Sequence, residues 1–248
     1  MRYREAASPP ALAPWVQCTW QRSGDGGAPV RVVPDGCIDI VWTEGAGTQV
    51  VGPNTRAFVV ALAARTRVAG VRLHPGAAPA LLGVGAAALR DGRVAVDEVW
   101  GDEGRRLAEA LDEHEDRAAV LLAALGARAL TAAPPDPLVR AAVQRLQDRE
   151  VAAGTLAYEL GVSQRQLRRR FEAAVGYGPK RLGRVLRLAR ALDAARAGEQ
   201  LGRAAVDAGY ADHAHSPTTA AASLAWRRRR CCSRRGPFPT RHAAADRP

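Results

Sequence analysis

The chain has 248 residues, room for two domains with cores of their own, and a formal net charge of +11 from 36 basic and 25 acidic side chains. No run is long and apolar enough to cross a bilayer, and Met1-Arg-Tyr-Arg-Glu-Ala6 lacks the apolar stretch of a signal peptide, so a cytoplasmic location is expected and a membrane partner is not. Residues 1–135 carry 14 basic against 15 acidic side chains, residues 136–215 carry 14 against 9, and residues 216–248 carry 8 against 1, which places an acidic partner on the C-terminal half.

Four cysteines, Cys18, Cys37, Cys231 and Cys232, have no zinc-ligand spacing, and a reducing compartment leaves them without a disulfide. Lys180 is the single lysine. With abundant Ala and Gly, this usage points to a GC-rich coding sequence, which accounts for part of the arginine excess but not for its placement.

In chain order, residues 1 to about 70 favour strands. Val30–Val33, Ile38–Trp42 and Phe58–Val60 are short, β-rich and bounded by Gly, Pro, Asp and Asn, with Pro34-Asp35-Gly36 as a turn between two of them. Ala69–Leu73 reads as a further strand and Pro75–Leu82 as the start of a helix, followed by helices at Leu107–Leu111 and Ala118–Leu130. The segment 132–137, Ala-Ala-Pro-Pro-Asp-Pro, reads as a linker. Leu138, Val139, Ala142, Val143 and Leu146 then stripe one helix.

Thr155 to Phe171 reads as two short helices broken at Gly161. Leu156, Ala157 and Leu160 repeat at helical spacing, Gly161 allows a tight turn, Val162 plugs the angle and Ser163 stands where an N-cap belongs. From Gln164 onward, Leu167, Phe171, Ala174 and Val175 share one face. Arg165, Arg169 and Glu172 lie near the opposite one, flanked by Gln166 and Arg168. Arginine bridges guanine O6 and N7, glutamine pairs with adenine, both hold phosphates, and the helix start adds a phosphate site. Double-stranded DNA is therefore the expected partner, with Ser163, Gln164, Arg165, Gln166, Arg168 and Arg169 as contacts and Arg169 assigned to phosphate.

Gly176-Tyr-Gly-Pro179 ends this helix, and Leu182, Val185, Leu186, Ala189 and Leu192 stripe a long one whose other faces carry Arg181, Arg184, Arg187 and Arg190. After Ala197-Gly198 a second unit follows, with Leu201, Ala204, Ala205 and Ala208 as a short helix, Gly209 as the turn and Tyr210 as the plug.

Gly161-Val-Ser163, Leu167-Arg-Arg-Arg-Phe171, Gly176-Tyr-Gly-Pro179 and residues 205–215 together resemble the AraC/XylS family of bacterial transcription regulators, over about residues 138–215. The resemblance implies two helix-turn-helix units on a connecting helix, both recognition helices entering successive major-groove segments, and His213 near DNA in the second. The front half, through Pro34–Trp42, Val51-Gly-Pro53 and Gly70–Gly76, is similar to the small domain preceding this module in many actinobacterial members. A β-rich, cupin-like or related sensor is what that position implies. The fold expected is α+β: a β-rich mixed domain at 1–133, an all-α double helix-turn-helix domain at 134–215 with its second unit incomplete, and a disordered basic tail at 216–248.

The resemblance stops abruptly after His215. Pro217 would interrupt a helix just begun, and Leu224 and Phe238 are the only Leu, Ile, Val, Met or Phe thereafter, beside Arg227–Arg230 and Cys231-Cys232. A shift of reading frame near codon 216 accounts for this composition; a genuine basic tail is the alternative.

Elsewhere, Cys37 near Asp39 reads as a small residue packing at a strand start, and His74 as a structural or solvated loop histidine. Asp112–Asp116 reads as wet surface, and Trp15, Trp20, Trp42 and Trp100 as core. No cofactor, metal site or enzymatic activity is expected. A small-molecule effector, RNA polymerase and a second copy of the chain are further candidate partners. Two alternatives stand beside the regulator: a thiol-based enzyme or redox sensor using Cys37, and a nonfunctional frameshifted remnant.

Overall fold

The computed structural model describes residues 2–23 and 29–200. The second helix-turn-helix unit expected at Leu201 to His215, including His213, and the tail 216–248 lie outside them.

The front half is built on a six-stranded antiparallel sheet. Strands β1 (Arg2–Ala7), β2 (Val16–Ser23), β3 (Val30–Val32), β4 (Ile38–Thr43), β5 (Gly47–Val51), β6 (Phe58–Val60), β7 (Val68–Leu73) and β8 (Arg93–Ala95) follow in sequence. The sheet order is β1-β2-β7-β4-β5-β8, and β3 pairs with β6 in a separate two-stranded ribbon. Alternation in β4 turns Ile38, Ile40 and Trp42 inward, where they bury with Val71 and Leu73 of β7. Helices α1 (Ala78–Leu82), α2 (Val96–Trp100), α3 (Asp102–Glu113) and α4 (Arg117–Ala129) follow β7. Of these, α3 and α4 close the core with Leu107, Leu111, Leu121 and Leu125.

Polar groups lock this core at its edges. The Trp42 indole donates to Asp112 Oδ1 at 2.6 Å while the Arg117 guanidinium lies 4.0 Å from its ring centre. Asp116 caps α4 by accepting from the Ala119 N–H, so the acidic run at 112–116 is partly built into the fold. On the other sheet face Asp39 and Arg72 are direct cross-strand partners joined by two hydrogen bonds of 3.1 and 3.2 Å, and the Trp20 indole donates to the same carboxylate. Against burial, which lowers it, Asp39 and Asp35 hold Arg72 protonated well above its ordinary value. Gly70 leaves room for Trp20, since a Cβ there would lie 2.5 Å from the indole. Trp42 and Trp100 are core, whereas Trp15 and Trp20 are only half-buried.

A second cluster follows on α5 (Pro137–Asp148), α6 (Ala153–Glu159), α7 (Gln164–Val175) and α8 (Pro179–Arg196). Its centre is Val139, Leu156, Leu167, Phe171 and Leu182, each at most 1% exposed. The segment 132–137 ends in a device rather than slack chain: Asp136 caps α5 by accepting from Leu138 and Val139 N–H groups, with Pro137 in the first turn.

Candidate nucleic-acid interface

Between α6 and α7 the backbone turns at Gly161, whose φ of +67° is the left-handed region glycine enters without strain. The Val162 N–H donates to the Ala157 carbonyl at 3.1 Å and closes the turn. Ser163 then caps α7. Its hydroxyl accepts from the Gln166 N–H at 3.2 Å, and the Gln166 Oε1 accepts from the Ser163 N–H at 3.0 Å, a reciprocal capping box.

Leu167, Phe171 and Val175 anchor α7 in the core while Ser163, Gln164, Arg165, Gln166, Arg168 and Arg169 are all exposed. Their employment differs. Gln166 has its Oε1 engaged in the cap, so its amide nitrogen is the group left to face a ligand. The Gln164 amide reaches back over α6, within 3.0 Å of where a Cβ on Gly154 would stand. Arg168 donates to Glu172 Oε1 at 2.8 Å, one turn on. Arg165 and Arg169, four residues apart and stacked on one ridge, form no ion pair among the described residues.

Arg170, for which the sequence suggested no role, ties α7 to the start of α5 with two bonds to Asp136, at 2.7 and 2.5 Å. Burial, which would raise it, is outweighed by Arg170 and the two capping N–H groups, so the Asp136 carboxyl sits below its ordinary value. Along α8, Arg187 bonds Glu150 at 2.7 Å and Arg190 donates to the carbonyls of Leu146 and Gln147, whereas Arg181 and Arg184 are exposed. Arg187 and Arg190 therefore hold the fold together rather than facing a partner.

The far end of α7 is welded to the front half. Gly176 ends the helix at φ +90°, where a Cβ would lie 2.6 Å from Pro53 Cγ and 2.8 Å from the Ala86 carbonyl oxygen. The Ala86 N–H donates to the Ala173 carbonyl at 3.1 Å and Arg90 Nη1 to the Gly176 carbonyl at 3.3 Å. Gly36, at φ +87°, approaches Leu182 so closely that a Cβ would meet its Cδ1 at 2.5 Å, and a Cβ on Gly76 would lie 2.9 Å from Val139 Cγ1. The glycines and prolines of Pro34–Gly36, Gly52-Pro53 and Pro75-Gly76 thus form the seat on which the helical cluster rests. A glycine bounded by proline was the visible signal, and the partner it accommodates was not.

Cys37 is buried at the start of β4, its thiol 3.4 Å from Gln17 Oε1, in keeping with the packing role expected. His74 lies at the same seam. Burial above all, with Arg140 beside it, pushes its pKa down to about 4 against a bond to the Ala13 backbone, so it is neutral at pH 7. No group of His, Cys, Asp and Glu suited to a metal ion occurs among the described residues, and no described helix is long and apolar enough to cross a membrane.

Comparison with known families gives two matches, one in the front half and one in the C-terminal half. Residues 4–95 match the family described as Domain of unknown function (DUF6597), and residues 156–217 match the family described as Helix-turn-helix domain. The helix-turn-helix match is of the AraC type and ends close to His215, where the sequence resemblance gives out. Among solved structures, an apo ToxT variant from Vibrio cholerae aligns at 9% identity and a TM-score of 0.42, covering 84% of this chain and 91% of that one. The AraC-like transcriptional activator CuxR aligns at 16% identity and a TM-score of 0.21, covering 77% and 78%. No curated protein matches the chain.

Proposed function

Because the chain carries an AraC-type helix-turn-helix domain behind a domain of the DUF6597 family, a composition that supports DNA-binding transcription regulation, we propose that it is a sequence-specific regulator reading the major groove with residues 163–175. The observation that carries this reading is the ridge of Arg165 and Arg169, exposed, without ion pairs among the described residues, and mounted on a helix fixed by a capping box and three buried anchors. Two uncompensated guanidiniums on a rigid element suit one base contact and one phosphate contact. Arg165, nearer the helix start, is assigned to bases and Arg169 to phosphate. Arg168 joins them by exchanging Glu172 for a phosphate, and Ser163, Gln164 and Gln166 line the helix start.

The division proposed is 1–133 as an effector-sensing or dimerising domain, 134–215 as the DNA-binding domain and 216–248 as a basic tail or the product of a shifted frame. Resequencing codons 210–220 separates the last two. His213 is assigned to DNA through the second unit, and an effector, RNA polymerase and a second copy of the chain are the partners the reading implies.

The test is selection of duplexes from a random pool by the full chain at physiological salt. Enrichment of a motif containing guanine supports the reading. Retention of duplex without sequence enrichment would reduce the protein to a nonspecific DNA binder.

A further inference from the structure

A cleft of about 540 Å³ opens at the seam between the front half and the helical cluster, lined by Thr55, Arg56, Arg90, Asp91 and Arg181. Arg56 and Arg90 come from two loops of the front half, and Arg181 from the first turn of α8. The loops are clasped together: Gly52 N–H donates to the Gly92 carbonyl and Asp91 N–H to the Pro53 carbonyl, each at 3.1 Å. Asp91 stands at φ +58°, a strained conformation for a residue with a side chain, of the kind that gathers at binding sites.

The one carboxylate of the cleft, Asp91, stays ionised: against burial, which raises it, Thr55, Arg56 and Arg90 hold its carboxyl below the ordinary range. Both Asp91 oxygens are engaged by Thr55, Oδ1 with its N–H at 2.6 Å and Oδ2 with its hydroxyl at 2.7 Å. None of Arg56, Arg90 and Arg181 forms an ion pair among the described residues, and Arg90 has only a carbonyl partner, at Gly176. Three guanidiniums therefore line the cleft against a single carboxylate, an excess of positive charge.

A second feature lies beside them. Tyr177, from the turn that joins α7 to α8, is 3% exposed, and its hydroxyl is buried without a hydrogen-bond partner among the described residues. Its hydroxyl lies 3.6 Å from where a Cβ on Gly36 would stand, faces Asp35 and Cys37 ahead of Arg181 and Asp91, and does not line the cleft itself.

We propose that this cleft binds a small molecule carrying two anionic groups, phosphate or carboxylate, with Arg56 and Arg90 holding one end and Arg181 the other. The volume suits a metabolite rather than a single inorganic ion, and the arginine fork matches either oxyanion. Such a ligand bridges the front half to the helix that follows α7, so its binding energy favours one placement of the reading helix. The inference rests on the front half being the sensing half of a regulator, but its test needs no DNA.

The test is calorimetric titration of the full chain with inorganic pyrophosphate and, separately, citrate, at constant ionic strength. Saturable binding of either is expected, with Arg56→Ala and Arg181→Ala each weakening it about tenfold, as loss of one charge-assisted contact should, and the exposed Arg106→Ala leaving it unchanged. The stronger of the two probes identifies the acid group. Absence of saturable binding would overturn the proposal, and so would binding that survives both cleft substitutions. If neither probe binds while both substitutions weaken duplex binding for all sequences alike, the cleft is a contact for the DNA backbone and the metabolite site is refuted.

Discussion

Asp136 and Arg170, 34 residues apart, meet in a two-bond ion pair that fixes α7 to the start of the helical cluster. The same carboxylate caps α5, so its two roles separate by substitution. Asp136→Ala removes cap and partner together and should cost about 1–2 kcal/mol. Arg170→Ala leaves the cap and, with 40% of that side chain exposed, should cost clearly less than Asp136→Ala. Asp136→Ser should recover most of the loss. Urea denaturation of the three variants checks the ranking, and an Arg170→Ala loss equal to that of Asp136→Ala would contradict it.

Gly176 is the seam glycine whose neighbours include a backbone atom closer than 3.0 Å. Alanine there meets a positive φ and two atoms closer than 3.0 Å, one of them a backbone oxygen that cannot step aside. Gly176→Ala should cost about 1–3 kcal/mol and open the seam. Faster proteolysis within 131–137 at native pH is the expected sign, against unchanged cleavage if the two halves do not depend on each other.

His74 predicts an acid-sensitive fold. Its pKa is depressed to about 4 in the folded chain from an ordinary 6.5, so between those values the unfolded chain binds more protons. Its contribution is fully present above about pH 6.5 and falls with pH through that window, by up to about 3 kcal/mol at pH 4. Unfolding free energies measured from pH 7 to 4 should show this slope, and His74→Gln should flatten it. An unaltered slope in the variant would place the acid sensitivity elsewhere.

Cys37, buried and 3.4 Å from an amide oxygen, is expected to be a slow thiol. In a chain keeping Cys37 as its single cysteine, a disulfide reagent at pH 7 should react on the order of a hundredfold slower in the native than the denatured state. Native labelling at the denatured rate would restore the thiol-sensor reading.

The helical cluster was legible because its signals are local: a cap, a glycine and an apolar stripe fall within one stretch from Leu156 to Val175. The S-x-x-Q spacing of Ser163 and Gln166 also announced the capping box, and the chemistry of glutamine drew attention to DNA instead. Among the strands, β4, β6 and β7 declared themselves by β-branched runs. β1 and β2 did not, since Arg2–Ala7 and Val16–Ser23 mix polar and apolar residues and gain their order from pairing, as where Tyr3 stacks on Trp20. Nor could the turn at Pro34–Gly36 show that its flanking strands belong to different sheets, because partners β6 and β7 lie far along the chain. The seam and its arginine cleft were illegible for the same reason: each contact joins residues separated by dozens of positions.

The central claim is that the exposed ridge of α7 reads DNA. Fluorescence anisotropy on a selected duplex and a scrambled one, across a salt series, with wild type, Arg165→Ala and Arg169→Ala, tests it most directly. Arg165→Ala should lose about 1–3 kcal/mol on the selected duplex and little on the scrambled one, narrowing the gap between them. Arg169→Ala should weaken both alike and reduce the salt slope by about one. Wild-type affinity, selectivity and salt slope in both variants would contradict the account and move the reading surface off this helix.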